Sequence, residues 1–87
     1  MELRHLRYFK EVADTGSFTR AAQNLSMAQP PLSRQIQDLE AELGVKLFVR
    51  HHHYLELTPE GEIFLKRTEE ILALTWKAIK EVRHEGK

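Results

Sequence analysis

The stretch Ser17 to Leu43, SFTRAAQNLSMAQPPLSRQIQDLEAEL, constrains the fold more than any other part of the chain. It reads as a short helix, a tight turn and a longer second helix whose faces differ in chemistry. Leu32, Ile36, Leu39 and Leu43 recur at i, i+4, i+7 and i+11, which at 3.6 residues per turn puts them in one core-facing stripe. Ser33, Arg34 and Gln37, with Pro30 at the entrance, are expected on roughly the opposite side. There a hydroxyl, a guanidinium and an amide are able to hydrogen-bond to base edges and phosphates together.

Charge points the same way only when read locally. The chain has 13 basic and 13 acidic residues and a formal charge of +0, so its total says nothing for a polyanionic partner. No Asp or Glu occurs between Asp14 and Asp38, while Arg20 and Arg34 both lie in that interval. Phosphate attraction acts through the nearby field, so an acid-free face on a neutral chain is compatible with DNA.

A length of 87 residues suffices for one small domain with a modest core. With no Cys there is neither a disulfide framework nor a thiolate zinc site. No apolar run approaches the roughly 20 residues of a transmembrane helix, and no signal-peptide pattern opens the chain, so a cytoplasmic setting and no membrane contact are expected.

Taken in order, Leu3 to Asp14 forms the first helical pattern, with Leu3, Leu6, Phe9, Val12 and Ala13 on one face and Gly16 as its stop. Ser17 is the N-cap of a second helix that carries Phe18, Ala21, Ala22 and Leu25 inward. Ser26-Met27-Ala28 makes the turn, with Met27 plugging the core beneath it. Pro30 and Pro31 suit the first turn of helix three, and Gly44 ends it.

From Val45 to Leu57 the period changes. Val45, Leu47 and Val49 alternate with Lys46, Phe48 and Arg50, and Leu55 and Leu57 with Tyr54 and Glu56, which predicts two short strands joined at His51-His52-His53. Thr58 and Pro59 open a last helix of about 25 residues, roughly 37 Å long. Its stripe runs from Ile63, Phe64 and Leu65 through Thr68, Ile71, Leu72, Thr75, Trp76, Ile79 and Val82. The body cannot cover that length, so the outer part is expected to meet a second copy. Residues Arg83 to Lys87 carry no pattern and are expected to fray.

These blocks together resemble the N-terminal DNA-binding segment of the LysR-type bacterial transcriptional regulators. The resemblance rests on Leu6-Arg7-Tyr8-Phe9, Gly16 to Ala22, Leu25 with Ala28-Gln29-Pro30, Ser33-Arg34-Gln35-Ile36, Leu39 to Gly44, Leu47 to Arg50, and Leu57 to Gly61. The Gln29-Pro30-Pro31 and Thr58-Pro59-Glu60-Gly61 variants look like the branch that controls degradation of aromatic compounds. The resemblance implies a mainly α fold with a small β-hairpin: a winged helix-turn-helix over 1–58 and a long linker helix over 59–87 that dimerises antiparallel. It implies that helix three enters the major groove and that the wing touches the adjacent minor groove. Family members also carry a C-terminal effector-sensing domain resembling periplasmic solute-binding proteins, so the chain is expected to be a piece of a longer protein. A small-molecule inducer and higher oligomers would then depend on that absent domain. Two residues depart from the pattern: His53 stands where many relatives have an Arg at the wing tip, and Glu60 where Ala is common.

The expected partner is double-stranded DNA carrying an interrupted palindrome, bound by a homodimer. Gln29, Pro30, Ser33, Arg34 and Gln37 are the candidate base contacts, and Thr19, Arg20, Lys46, Arg50 and His53 the candidate backbone and wing contacts. Bland readings stand beside these: Gln29 as a helix cap, and Arg50 paired with Glu56 across the hairpin. Phe64, Thr68, Ile71, Leu72, Thr75, Trp76, Ile79 and Val82 are the candidate dimer interface. Adjacent strand histidines point to opposite faces and no Cys completes a set, so no metal or cofactor is expected, and Glu69-Glu70 forms no acid–base pocket, so no enzyme. The alternative reading is a dimerisation and protein-interaction module for which the helix-turn-helix is only scaffold.

Overall fold

The computed structural model describes residues 1–84. In chain order it contains α1 (Leu3–Thr15), α2 (Phe18–Asn24), α3 (Gln29–Leu43), β1 (Phe48–Arg50), β2 (Leu55–Leu57) and α4 (Pro59–Val82). The mainly α architecture with one small hairpin agrees with the sequence reading. The expected fraying of the last residues falls partly on 85–87, outside the described residues.

Punctuation in the sequence sets the element ends. Gly16 and Gly44 both take the left-handed conformation, φ 66 and φ 74, that closes α1 and α3. Ser17 Oγ accepts from the Arg20 amide at 3.1 Å and Thr58 Oγ1 from the Gly61 amide at 2.9 Å, so each hydroxyl satisfies an amide that the first turn leaves unpaired. Between α2 and α3 the chain turns through Ser26 at φ 56, and the Met27 amide donates back to the Ala22 carbonyl at 2.9 Å. Met27 packs partly buried against the core, as its position in the turn suggested.

The core is built where α1, α2 and α3 meet under the first half of α4. Phe9, Val12, Ala21, Leu32, Ile36, Leu39 and Leu47 are buried. Phe9 is its aromatic centre, 5.4 Å from the Phe48 ring and 5.2 Å from the Phe64 ring. Ala21 and Ala22 are buried where α2 crosses its neighbours, which small side chains permit. Leu3, expected inward, is 42% exposed because it sits at the first residue of α1, beyond the helices that cover the rest of that face.

Two expectations need correction. The hairpin strands are three residues each, antiparallel, with Phe48 opposite Leu57 and Arg50 opposite Leu55, but the first does not alternate as predicted. Leu47 and Phe48 are both buried while Val45 and Val49 are exposed. Leu47 precedes the ladder, so its side chain escapes the pleat's alternation. The second correction concerns Thr68, expected at a dimer interface. It is fully buried inside its own chain, and its hydroxyl has no hydrogen-bond partner. Phe64, half-buried with its ring on Phe9, is likewise committed to the chain's own core. The 3.6-residue stripe of α4 is continuous, but Phe64, Leu65 and Thr68 in its first half are taken up by the chain's own core while Ile71, Trp76 and Val82 in its second half are exposed.

Candidate nucleic-acid interface

Helix α3 brings its polar residues to the surface beside the hairpin. Pro30, Arg34 and Gln37 are exposed, whereas Gln29 and Ser33 are half-buried. Ser33 therefore lies on the flank of the helix, about 100° round from Leu32, and not opposite the apolar stripe as expected. Ala28 is the N-cap and offers no side-chain hydrogen bond, so Gln29 does not cap the helix. Pro30 and Pro31 remove two of the amides that a helix start leaves unpaired.

The candidate cations are placed unevenly. Arg34 Nε donates to Asp38 Oδ1 at 3.2 Å, so the residue that ends the acid-free interval holds its guanidinium in the unbound chain. Arg50 lies at the end of β1, where its Nη2 donates to Ser33 Oγ at 2.9 Å and its guanidinium rests 4.4 Å above the Phe18 ring. The cross-hairpin pairing with Glu56 goes to His51 instead, whose Nε2 lies 2.7 Å from Glu56 Oε1. Lys46 is exposed just before the wing, and Thr19 and Arg20 are exposed on the first turn of α2.

At the hairpin tip the His51 ring stacks on Tyr54 at 4.4 Å, while the exposed His52 and His53 rings meet edge to face at 4.1 Å. Among the described residues no group of three or more His, Cys, Asp or Glu could hold a metal ion. A cleft of about 300 Å³ separates α3 from the wing and is shared by Gln37, Lys46, Phe48 and Arg50. Polar side chains on both banks thus face one open channel, a geometry suited to a polyanion and offering no enclosed site for proton transfer.

Glu40, Phe18 and Gly61 were missed in the sequence. Glu40 is buried on α3, and its Oε2 accepts from the Leu47 amide at 2.7 Å and the Phe48 amide at 3.3 Å. Its place at Ile36+4 on the edge of the apolar stripe was the available signal. Phe18 was read only as core, although its ring is the platform for Arg50. Gly61 is buried where α4 presses on Leu47: a Cβ there would stand 2.2 Å from the Leu47 carbonyl oxygen.

On the outer half of α4, Ile71, Trp76 and Val82 are exposed at 40%, 62% and 77%, while Leu72, Thr75 and Ile79 are half-buried. Leu74, absent from the expected interface, is 66% exposed. No helix among the described residues is long and apolar enough to cross a membrane.

Residues 3–62 match the bacterial regulatory helix-turn-helix proteins of the lysR family. The chain is 53% identical over 73 residues to the transcriptional regulator BenM of Acinetobacter baylyi, covering 84% of this chain and 24% of that protein. It superposes on the DNA-binding domain of BenM in complex with catB site 1 DNA with a TM-score of 0.94 at 46% identity, over 97% of this chain and 94% of that one. It superposes also on the CbnR domain–DNA complex, with a TM-score of 0.91 at 44% identity over 97% of each chain. The chain spans about a quarter to a third of the length of BenM and of most of the other curated relatives it matches. On matched length, identity and superposition alike, it belongs to the lysR family of bacterial regulatory helix-turn-helix proteins.

Proposed function

We propose that this chain is the DNA-binding and dimerising part of a LysR-type transcriptional regulator, of the kind that serves aromatic-degradation pathways, and that it binds double-stranded DNA sequence-specifically as a homodimer in the cytoplasm. The observation that carries this reading is the exposed polar face of α3 set across a cleft from a wing bearing Arg50, in a domain that superposes on relatives bound to DNA.

In this reading α3 lies in the major groove, where Arg34 and Gln37 reach base edges and Gln29, Pro30 and Ser33 line the approach. Thr19, Arg20, Lys46, Arg50 and His53 meet phosphates or the adjacent minor groove. The body over 1–58 makes the DNA contacts, and the segment over 59–87, through its helix α4, joins two copies by way of Ile71, Leu72, Trp76, Ile79 and Val82, with Thr75 at the margin. The operator is an interrupted palindrome, since two α3 helices related by a two-fold axis read two half-sites. An inducer and higher oligomers, which the resemblance assigns to a C-terminal domain, involve none of these residues.

The experiment is selection from a degenerate duplex library, followed by titration of the selected and a scrambled site over a range of salt. A two-fold-symmetric site bound at least ~10³ tighter than the scrambled one supports base readout by a dimer. Equal, weak binding to both would defeat it. Arg34→Ala is expected to cost about 1–3 kcal/mol per half-site on the selected duplex and little on the scrambled one.

A further inference from the structure

The wing is not merely adjacent to α3; it is fastened to it at two points. At its base, the Glu40 carboxylate accepts from the Leu47 and Phe48 amides at 2.7 and 3.3 Å, with Lys46 Nζ 3.9 Å from its other oxygen. At its outer end, Arg50 donates to Ser33 Oγ at 2.9 Å and covers the Phe18 ring. Ser33 and Glu40 are seven residues apart, so they lie within about 20° of one another around α3 and about 10 Å apart along it. From the Leu47–Phe48 amides to Arg50, β1 advances about 7–10 Å. The two spacings match, and β1 runs antiparallel to α3 along a rail made by one flank of the helix.

The same two peptides are held from their other side. Thr58 Oγ1 donates to the Lys46 carbonyl at 2.6 Å, the Thr58 amide donates to the Leu47 carbonyl at 3.0 Å, and Gly61 leaves room for that carbonyl against α4. A buried carboxylate needs such partners to be tolerated, and amide donors to a charged acceptor are among the stronger hydrogen bonds. Glu40 is 9% exposed in the lining of the cleft, and its carboxylate is taken by the Leu47 and Phe48 amides with Lys46 Nζ beside it, so its charge serves the fold of the wing.

We propose that Glu40 is a positioning residue: by fixing the Leu47–Phe48 peptide to α3 it sets the height of the wing, and so delivers Arg50 to one place relative to Arg34 and Gln37. Recognition helix and wing then meet DNA as one preset unit, and Ser33 acts first as the acceptor that holds Arg50 ready. This rests on the DNA-binding reading for its consequence but not for its geometry.

The test uses Glu40→Gln, which keeps one carbonyl acceptor and loses the charge, with Glu40→Ala as the more severe variant and circular dichroism to verify the fold. In the DNA-free protein, amide exchange at Leu47 and Phe48 is expected to quicken by about ten-fold in Glu40→Gln while Val12 and Leu32 stay protected. On a duplex selected by the wild-type chain, Glu40→Gln is expected to weaken binding by about ten-fold. That loss should persist in an Arg34→Ala background and largely vanish in an Arg50→Ala background, because Glu40 acts through the wing. Unchanged exchange at the two amides, or a full-sized loss in the Arg50→Ala background, would overturn the proposal. Failure of the library to yield any site would sink the DNA-binding reading alone, since the exchange measurement is made without DNA.

Discussion

Replacing Gly61 by Ala sets two effects of opposite sign against each other. Ala is favoured over Gly inside a helix by about 1 kcal/mol, so propensity alone expects a more stable protein. The structure expects the reverse, because the new Cβ would lie 2.2 Å from the Leu47 carbonyl oxygen, 3.1 Å from its carbonyl carbon and 3.0 Å from Leu57 Cδ2. Ordinary carbon–oxygen contacts are about 3.3 Å or longer, so α4 and the wing base must part by about 1 Å. That parting strains both bonds that tie them, Thr58 amide to Leu47 carbonyl at 3.0 Å and Thr58 Oγ1 to Lys46 carbonyl at 2.6 Å. Two hydrogen bonds at about 1 kcal/mol each, with about 1 kcal/mol for disturbed packing, outweigh the propensity gain and leave a net loss of about 2 kcal/mol. Urea unfolding at one fixed protein concentration measures it, because a dimer's stability depends on concentration. A midpoint equal to or above that of the wild type would refute the argument.

Thr68→Val replaces a fully buried, unpartnered hydroxyl by a methyl group of similar volume and is expected to stabilise by about 1 kcal/mol, raising the melting temperature by about 4–8 °C in calorimetry. Lys10 is held above its ordinary pKa by its hydrogen bond to Asp14, with the charges of Asp14 and Glu69 adding to it against partial burial. A raised folded-state pKa contributes stability that is present below the unfolded value of 10.5 and lost as pH rises through the folded one. Unfolding midpoints followed from pH 9 to 12 should therefore fall more steeply in the wild type than in Lys10→Gln, by less than about 1 kcal/mol for so exposed a pair. Trp76→Glu is expected to turn a dimer into a folded monomer in sedimentation, since Trp76 is 62% exposed within one chain.

The elements that the sequence announced were those set by local chemistry. Gly16, Gly44, Ser17 and Thr58 mark ends that need only a left-handed residue or a hydroxyl, and each lies where it was expected. What escaped depended on contacts between residues far apart in the chain. Periodicity predicted one continuous face for α4, but only the fold decides that Phe64 and Thr68 are covered by α1 while Trp76 and Val82 are not. Alternation failed at Leu47 and Phe48 because a carboxylate on another element takes both their amides, a demand the strand pattern does not encode. Arg50 and Ser33 were each legible as polar candidates, yet their meeting needs the 17-residue excursion through the turn and β1 to return to α3.

That meeting bears on how specificity would arise. In the unbound chain two of the cations of the proposed interface already have partners, Arg34 with Asp38 and Arg50 with Ser33 and the Phe18 ring. The Arg34–Asp38 pair is exposed at 76% and 64%, so it contributes only about 0.3–0.5 kcal/mol. If Arg34 reads a base as proposed, a bidentate contact to the right one is worth about 1–3 kcal/mol and would displace the pair, whereas a wrong base would offer nothing better and leave the guanidinium with Asp38. In that reading Asp38 gives Arg34 a resting partner that biases its rotamer by only about two-fold and is too weak to compete with the correct base. Asp38→Asn should then raise affinity for the selected duplex, where the pair must break, by about two-fold and for scrambled duplex by less, whereas loss of a carboxylate that merely repels phosphate would raise both equally.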